Sequence, residues 1–385
     1  MLKRNDRNRG PYPTALRLFL VSNMYPSPEN PSCGVFVKNI CDGLERQGMQ
    51  FPHPVVRKGV PATPLELLFS YVLLWLKTVW FGVRYDYSFV YAHFATHTAP
   101  PVLLLHLVLG KRCIVNVHGR DVIPTNTGCK LLQPFARLLV RHAALTVAPS
   151  EFMKRRLVEV YGADPGSIEV SPSGGIDTTL FRPSESKKCT EHYSVGFVSR
   201  IDERKGWRLL PEIVRELRER DIPVQMVVAG GGGDLPKLKN DVVSKDLSSF
   251  FDILGNVRYE RLPTIYSRLD VLLLPTLYEE SLCLVALEAM ACGVPVVASA
   301  KGALKDNVVD EVNGYAVQPG NSTGFVERLE YLYRNPNLLE ALSSSARRTV
   351  LHFDSEKVTK EIGRRIHSLA VDEGILAAAR SSVNS

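Results

Sequence analysis

The sequence predicts an α/β protein made of two doubly wound, Rossmann-like units. Three observations carry this. Short β-rich runs alternate with helical runs along the chain. The alternation breaks over residues 171–194, in a Ser/Pro/Gly stretch followed by a charged one, and then restarts. The chain has 385 residues, more than one hydrophobic core usually organises.

The elements follow in order. A strand is predicted over 16–21, with a Pro/Gly/Asn loop from Pro26 to Gly34 behind it. A helix over 35–47 stops at Gly48. A strand over 87–93, a helix over 98–109 and a strand over 113–117 come next. A strand over 145–149 leads to Ser150, whose hydroxyl suits the N-cap of a helix over 151–161. In the second unit a strand over 194–198 precedes a helix over 206–218, and a strand over 224–229 ends in Gly230 to Gly233. A strand over 271–274, a helix over 284–291 and a strand over 295–298 complete the pattern, and the tail over 355–380 reads as helical. The expected domains are 1–182 and 183–357, with a C-terminal helix of about 358–385 packing back on the first. Two such units predict a cleft, with ligands beyond the carboxyl ends of the strands.

Composition narrows the function classes. With 45% hydrophobic and 23% charged residues the chain reads as soluble and globular. Its seven cysteines are odd in number and form no C-x-x-C pair, which argues against a disulfide framework or zinc site and for a reducing compartment. Residues 1–182 hold 21 Lys and Arg against 12 Asp and Glu, a balance of +9, while the whole chain carries +7. The basic front half favours anionic partners: phosphates, lipid headgroups or nucleic acid. No zinc-finger spacing, basic-region heptad or RNP-like aromatic motif is present, so no nucleic-acid partner is expected.

The apolar run over 16–22 is too short for a signal-peptide core and meets Asn23 and Pro26, so no secretory signal is expected. The apolar stretch over 65–83 is interrupted by Glu66 and Lys77 and barely reaches spanning length. Because it is apolar nearly all round, it reads first as a helix buried against the first sheet. Trp75, Trp80 and Phe81 beside a basic surface also suit a headgroup region, so peripheral contact with an anionic membrane is expected.

The segment 275–298, PTLYEESLCLVALEAMACGVPVVA, carries the strongest chemical signal. A loop holds Glu280, the turn Leu282-Cys283-Leu284 opens a helix, and Glu288 lies about one turn inside. Free N–H groups at a helix mouth suit a diphosphate, a loop carboxylate can accept sugar hydroxyls, and Glu288 can reach a ribose. On spacing alone, a dipole-favoured Glu and an ordinary helix Glu explain the pair equally well. Arg200 and Lys205 follow the first strand of the second unit, where a planar fork and a point charge can hold phosphates. Alone, they fit a solvated charged loop with Glu203 and Arg204 better, since charge runs usually face water. His118 follows a strand of the first unit and precedes Gly119, and Asp121 can cap the segment after it. Gly230 to Gly233 lack the G-x-G-x-x-G spacing and read as a strand-to-helix turn. No Asp-x-Asp pair ends a strand as a metal clamp, so no metal and no cofactor are expected.

Glu280 and Glu288, followed by Ala-Met-Ala-Cys-Gly-Val-Pro-Val-Val-Ala, resemble the signature of the retaining GT-B glycosyltransferases, the large glycosyltransferase family four (glycosyl transferases group 1). The resemblance includes Gly34, His118-Gly119-Arg120-Asp121, Ser150-Glu151-Phe152 and Gly175-Ile176-Asp177. It continues through Phe181-Arg182-Pro183, Ser199-Arg200, Lys205-Gly206 and Asn313-Gly314. It implies a retaining hexosyltransferase that moves a sugar from a nucleotide diphosphate sugar to a saccharide or lipid-linked saccharide, in cell-surface polysaccharide or glycoconjugate synthesis. With the cysteine usage, the absent secretory signal and the basic, apolar front half, a cytoplasmic enzyme peripheral at the inner face of the cell membrane is expected. By resemblance, Arg200, Lys205, His118 and Glu280 act in catalysis. Gly34, Val257, Arg258, Glu280, Leu282, Cys283, Leu284 and Glu288 join Arg200 and Lys205 around the donor, with backbone groups near Val257 and Arg258 meeting the base. Three departures stand out: Cys283 where Gly is common, Arg120 where a small polar residue is usual, and Ser173-Gly174-Gly175 for an Asn-Gly turn. The alternatives are a nucleotide-sugar epimerase or hydrolase on the same scaffold, and a non-catalytic nucleotide-sugar-binding subunit at a membrane surface.

Overall fold

The computed structural model describes residues 16–28, 33–59, 63–124, 126–184 and 192–376. It divides into two compact units, residues 1–175 with 355–385, and residues 176–354.

The first unit has six parallel strands: β1 (Leu18–Tyr25), β2 (Val55–Lys58), β3 (Phe89–His93), β4 (Cys113–Asn116), β5 (Leu145–Ala148) and β6 (Ile168–Val170). Their order is β2-β1-β3-β4-β5-β6. Helices cover both faces, so the strands read as unbroken apolar runs rather than alternating ones. Leu18, Leu20, Phe89 and Tyr91 pack towards α1 (Val35–Glu45) and α14 (Ser355–Asp372). Phe19, Val21, Val90 and Ala92 face the other layer. That layer holds α2 (Pro64–Arg84), α3 (Ala95–Leu109), α5 (Gln133–His142) and α6 (Glu151–Tyr161), with the short α4 (Thr127–Leu131) before α5. The Ser150 hydroxyl caps α6 by accepting from the Met153 N–H at 3.2 Å. The tail helix belongs to this unit: the Gln47 amide of the loop after α1 donates to the Thr359 carbonyl at 2.8 Å.

The second unit has β7 (Tyr193–Val198), β8 (Val224–Ala229), β9 (Phe251–Gly255), β10 (Val271–Leu274), β11 (Val296–Ser299) and β12 (Gly314–Val317). They are parallel, in the order β12-β11-β10-β7-β8-β9. One core lies under α7 (Leu210–Glu219), α8 (Leu235–Ser244) and α12 (Ser322–Arg334). The other lies under α9 (Leu262–Tyr266), α10 (Leu284–Ala291), the short α11 (Leu304–Asn307) and part of α13 (Pro336–Val350).

Two expectations are corrected. The division falls at 175/176 and 354/355, rather than at 182/183 and 357/358. Residues 176–182 are held by the second unit: Phe181 is fully buried in its core, and Arg347 donates to the Phe181 carbonyl at 2.7 Å. Residues 185–191 of the expected linker, with Cys189, and 377–385 of the tail lie outside the described residues. The second correction concerns α2. It buries Leu74, Thr78 and Gly82 on the first unit, but most of its large apolar side chains point outwards. A narrow inner stripe is enough to seat the helix, and nothing in this unit covers the remainder among the described residues.

Candidate donor site

The chain order of the second sheet reverses between β7 and β10, and open parallel sheets bind ligands beyond the strand ends at such a point. The loops after these two strands carry Arg200 to Gly206 and Pro275 to Cys283. They are tied together, since Leu277 N–H donates to the Arg204 carbonyl at 2.7 Å. Gly206 makes the approach possible. Its φ is +76°, and a Cβ there would lie 1.9 Å from the Pro275 carbonyl oxygen. Gly206→Ala is expected to destabilise the second unit by about 1–3 kcal/mol from backbone conformation alone, with the clash adding to it. A thermal melt no lower than wild type would refute this.

This loop contact sets Lys205 beside Glu280. The Lys205 Nζ lies 2.7 Å from Glu280 Oε1, and the Tyr278 hydroxyl donates to Oε2 at 3.1 Å. Burial alone would lower the Lys205 ammonium, but Glu280 with Cys283 and Tyr278 outweighs it, and the net shift is upwards. Lys205 is therefore a fixed cation. Arg200 differs: it is half-exposed and its Nε pairs with Asp202 at 2.8 Å. The structure thus brings Lys205 and Glu280 together, and turns Arg200 to a separate carboxylate.

Glu280 is itself held in place. Its carbonyl accepts from Ala303 N–H at 2.8 Å, and the Asn307 amide donates to the Leu282 carbonyl at 2.9 Å. The Leu282 side chain is buried in the core, so it anchors the loop. Cys283 is the N-cap of α10, with φ +67° and no side-chain cap bond. That left-handed backbone suits Gly, and a Cys there carries strain on the order of 1–2 kcal/mol. No acidic side chain lies in the first turn of α10, which begins at Leu284, so the helix end is electropositive.

Glu288 is buried, and Tyr266 donates to its Oε2 at 3.0 Å. Burial pushes its carboxyl up to about 7, although bonds from Tyr266 and Tyr259 pull the other way. A neighbouring cavity of about 470 Å³ is lined by Ser199, Arg200, Gly230, Asn256, Val257 and Val285, among others. Val285 lies one turn before Glu288, which is not among the lining residues. Arg258 is exposed beside Val257. The glycine run serves close packing: a Cβ on Gly230 would lie 1.9 Å from the Ser199 carbonyl oxygen. Sequence reasoning missed Tyr259, Tyr266 and Tyr278, because nothing in their spacing ties them to the glutamates.

The first unit has its own cluster at strand ends. Gly34 starts α1 with φ +72°, and a Cβ there would lie 2.8 Å from the Met24 backbone. The His118 ring packs against both Phe36 and Phe94, at centroid distances of 4.7 and 4.5 Å. Its Nε2 lies 3.0 Å from Nδ1 of His93, which ends β3 and was not singled out from the sequence. Burial lowers His118 to about 3, so the ring is neutral. Asp121 does more than cap one segment. Its carboxylate accepts from the N–H groups of His118 at 3.0 Å, Gly119 at 2.8 Å and Ala95 at 2.9 Å. Among the described residues no three His, Cys, Asp or Glu side chains converge as a metal site.

Family comparison supplies what geometry alone does not. Residues 181–349 match the family described as glycosyl transferases group 1, and residues 31–174 match a glycosyl transferase 4-like domain. The chain belongs to the group 1 glycosyl transferases.

This group 1 glycosyl transferase is 30% identical over 257 residues to a D-inositol 3-phosphate glycosyltransferase of Salinispora tropica, covering 60% of this chain and 53% of that one. The chain therefore spans about half the length of that curated relative. It is 27% identical over 297 residues to the GDP-mannose-dependent alpha-(1-6)-phosphatidylinositol monomannoside mannosyltransferase of Mycolicibacterium smegmatis, covering 72% of each. Among solved structures it resembles Anabaena Alr3699/HepE in complex with UDP, with a TM-score of 0.73, 19% identity, and coverage of 92% and 100%. It also resembles sucrose-phosphate synthase from Thermosynechococcus elongatus, with a TM-score of 0.74, 18% identity, and coverage of 92% and 99%. These likenesses establish the fold as GT-B.

Proposed function

We propose that this chain is a retaining glycosyltransferase moving a sugar from a nucleotide diphosphate sugar to a saccharide or lipid-linked saccharide acceptor. One observation carries the reading: the Lys205–Glu280 pair, the uncapped start of α10 and a cavity of nucleoside size meet at the switch point of the second sheet. The family matches in both units favour transfer over an epimerase, a hydrolase or a non-catalytic subunit.

In this reading the nucleoside enters the cavity beside Val257 and Asn256, and the diphosphate meets the electropositive end of α10. The bond from the anomeric carbon to the diphosphate oxygen breaks, and a bond forms from that carbon to an acceptor hydroxyl oxygen. The acceptor proton passes to the departing diphosphate. Negative charge grows on that diphosphate, where Lys205 is already positioned and needs no reorganisation. Arg200 exchanges its half-exposed contact with Asp202 for a phosphate, since surface pairs are weak and a bidentate phosphate contact is stronger. Glu280 accepts sugar hydroxyls while it orients Lys205. By the family resemblance His118, neutral and packed against Phe36 and Phe94, is an uncharged contact for the sugar. These cations supply the charge compensation, so the proposal includes no metal and no cofactor.

The proposed setting is the cytoplasm, at the inner face of the cell membrane, in polysaccharide or glycoconjugate synthesis. The six described cysteines are free, which suits a reducing compartment. The mannosyltransferase relative bears a lipid-linked saccharide in its name, which supports the same class of acceptor here. The test offers labelled UDP-, GDP- and ADP-sugars to the purified chain in EDTA, with NMR of the product. An α-configured donor is expected to give an α-linked product. A β-linkage would falsify retention, and turnover only on adding a divalent cation would overturn the metal-free reading.

A further inference from the structure

The helical layer of α2, α3 and α5 presents an apolar face to solvent. On α2, Leu65, Phe69, Val72, Leu76, Trp80 and Val83 are exposed, a spacing that follows one side of the helix. Phe69 and Trp80 are each 67% exposed, which is unusual for large side chains in a protein with a well-packed interior. The opposite side of α2 is fixed to the unit: Gly82 packs so closely on Leu105 of α3 that a Cβ would lie 2.4 Å from it, and Trp75 Nε1 donates to the His97 carbonyl at 2.8 Å. On α3, Leu104, Leu107 and Val108 continue the exposed face. α3 packs in turn on α5, where Phe135 and Leu138 are exposed, with Leu131 just before it at 76%.

Three neighbouring helices of one layer therefore leave apolar sides uncovered, and scattered surface leucines do not account for that. α2 is long and apolar enough to cross a membrane by length and composition. Its inner stripe is occupied by the unit's own core, so it has a side to offer and not a whole circumference.

The charges decide the occupant. Residues 61–142 hold eight Lys and Arg against three Asp and Glu, and one of those acids, Asp121, is buried. Lys77 and Arg84 are exposed one turn to either side of Trp80. Among the described residues neither these two nor Lys130 pairs with a carboxylate within 4.0 Å. A symmetric second copy would set these cations against their own counterparts. An anionic bilayer surface matches both the charge and the apolar side chains, with Trp80 at headgroup level.

We infer that the outer face of α2, α3 and α5 is a bilayer-docking surface, inserted to side-chain depth in an anionic leaflet. The inference rests on the membrane contact proposed above and specifies its location and its mode, which is apolar insertion guided by charge.

The test is flotation of the full chain with vesicles of phosphatidylcholine alone or mixed with phosphatidylglycerol, at low and high salt. The wild type is expected to float with mixed vesicles, and to keep a salt-resistant fraction. Phe69→Glu, Leu76→Glu and Trp80→Glu combined are expected to weaken partitioning by about a hundredfold or more, with circular dichroism and melting unchanged. Lys77→Glu with Arg84→Glu is expected to lower only the preference for the anionic lipid. Unaltered flotation of the triple variant would overturn the inference. So would a wild type that ignores vesicles, or one that is a dimer which the triple variant splits. Turnover on a detergent-dispersed acceptor tests the transferase reading separately, and the triple variant is expected to leave it intact.

Discussion

Lys205→Ala and Arg200→Ala are each expected to lower turnover by about a hundredfold to a thousandfold, the loss that accompanies removal of a preorganised group facing transition-state charge. The two variants should differ in a second readout. Lys205 is mostly buried and paired at 2.7 Å with Glu280, so its removal leaves a buried carboxylate with the Tyr278 hydroxyl as its remaining side-chain partner among the described residues. Breaking one side of a buried pair costs about 3–5 kcal/mol, so Lys205→Ala should also melt earlier. Arg200 is half-exposed and its Asp202 contact is a surface pair, so Arg200→Ala should lose rate with little change in melting. Steady-state kinetics beside thermal melts of both variants check this. Full activity in both would leave the solvated-loop explanation standing.

Glu288→Gln is expected to weaken donor binding by about tenfold to a hundredfold, the value of a charge-assisted hydrogen bond to a ribose hydroxyl, and to raise stability above neutral pH. The second effect comes from burial. The folded-state carboxyl is pushed up to about 7 from the ordinary 4.5. Between those values the native state keeps a proton that the unfolded chain releases, so the stability due to this group is full below about 4.5 and falls as pH rises to about 7. Glutamine carries no such penalty, so the variant should gain up to about 3 kcal/mol relative to wild type at alkaline pH and nothing at low pH. Donor affinity of the wild type should rise through pH 7 as the carboxylate forms, and that of the variant should stay flat. Calorimetric donor titrations and melts across pH separate the roles. A stability gain with unchanged donor affinity would make Glu288 a structural residue bonded to Tyr266 and Tyr259, and remove its ribose role.

Much of the fold was legible in the chain alone. Strands β8 and β10 and helices α6 and α10 fall where apolar runs and turn residues put them, because strong local periodicity and the chain punctuation agree there. The Ser150 cap was legible for the same reason. Strands β2, β6, β9 and β12 were not singled out: they are the edge strands of their sheets, where burial is weaker and the apolar run is less marked. The tail helix was expected on the first unit, but the segment 176–182 was not expected in the second. A buried Phe181 and the Arg347 bonds to it decide that membership, and both are long-range.

The sequence by itself determined the two-unit α/β architecture, the family signature and the charged residue types near the candidate donor site, since each is local in the chain. Tertiary structure alone decided how those groups are paired. Packing of Gly206 on Pro275 sets Lys205 against Glu280, while Arg200 turns to Asp202. Three tyrosines hold the two glutamates, His93 holds His118, and Asp121 gathers three backbone N–H groups. The sidedness of α2 was likewise invisible, because a helix apolar nearly all round carries no periodic mark of its inner face. Only packing against α3 and the sheet shows which stripe is covered and which is exposed. The reason is common to all of these: local sequence encodes propensity and periodicity, whereas pairing and burial depend on residues far apart in the chain.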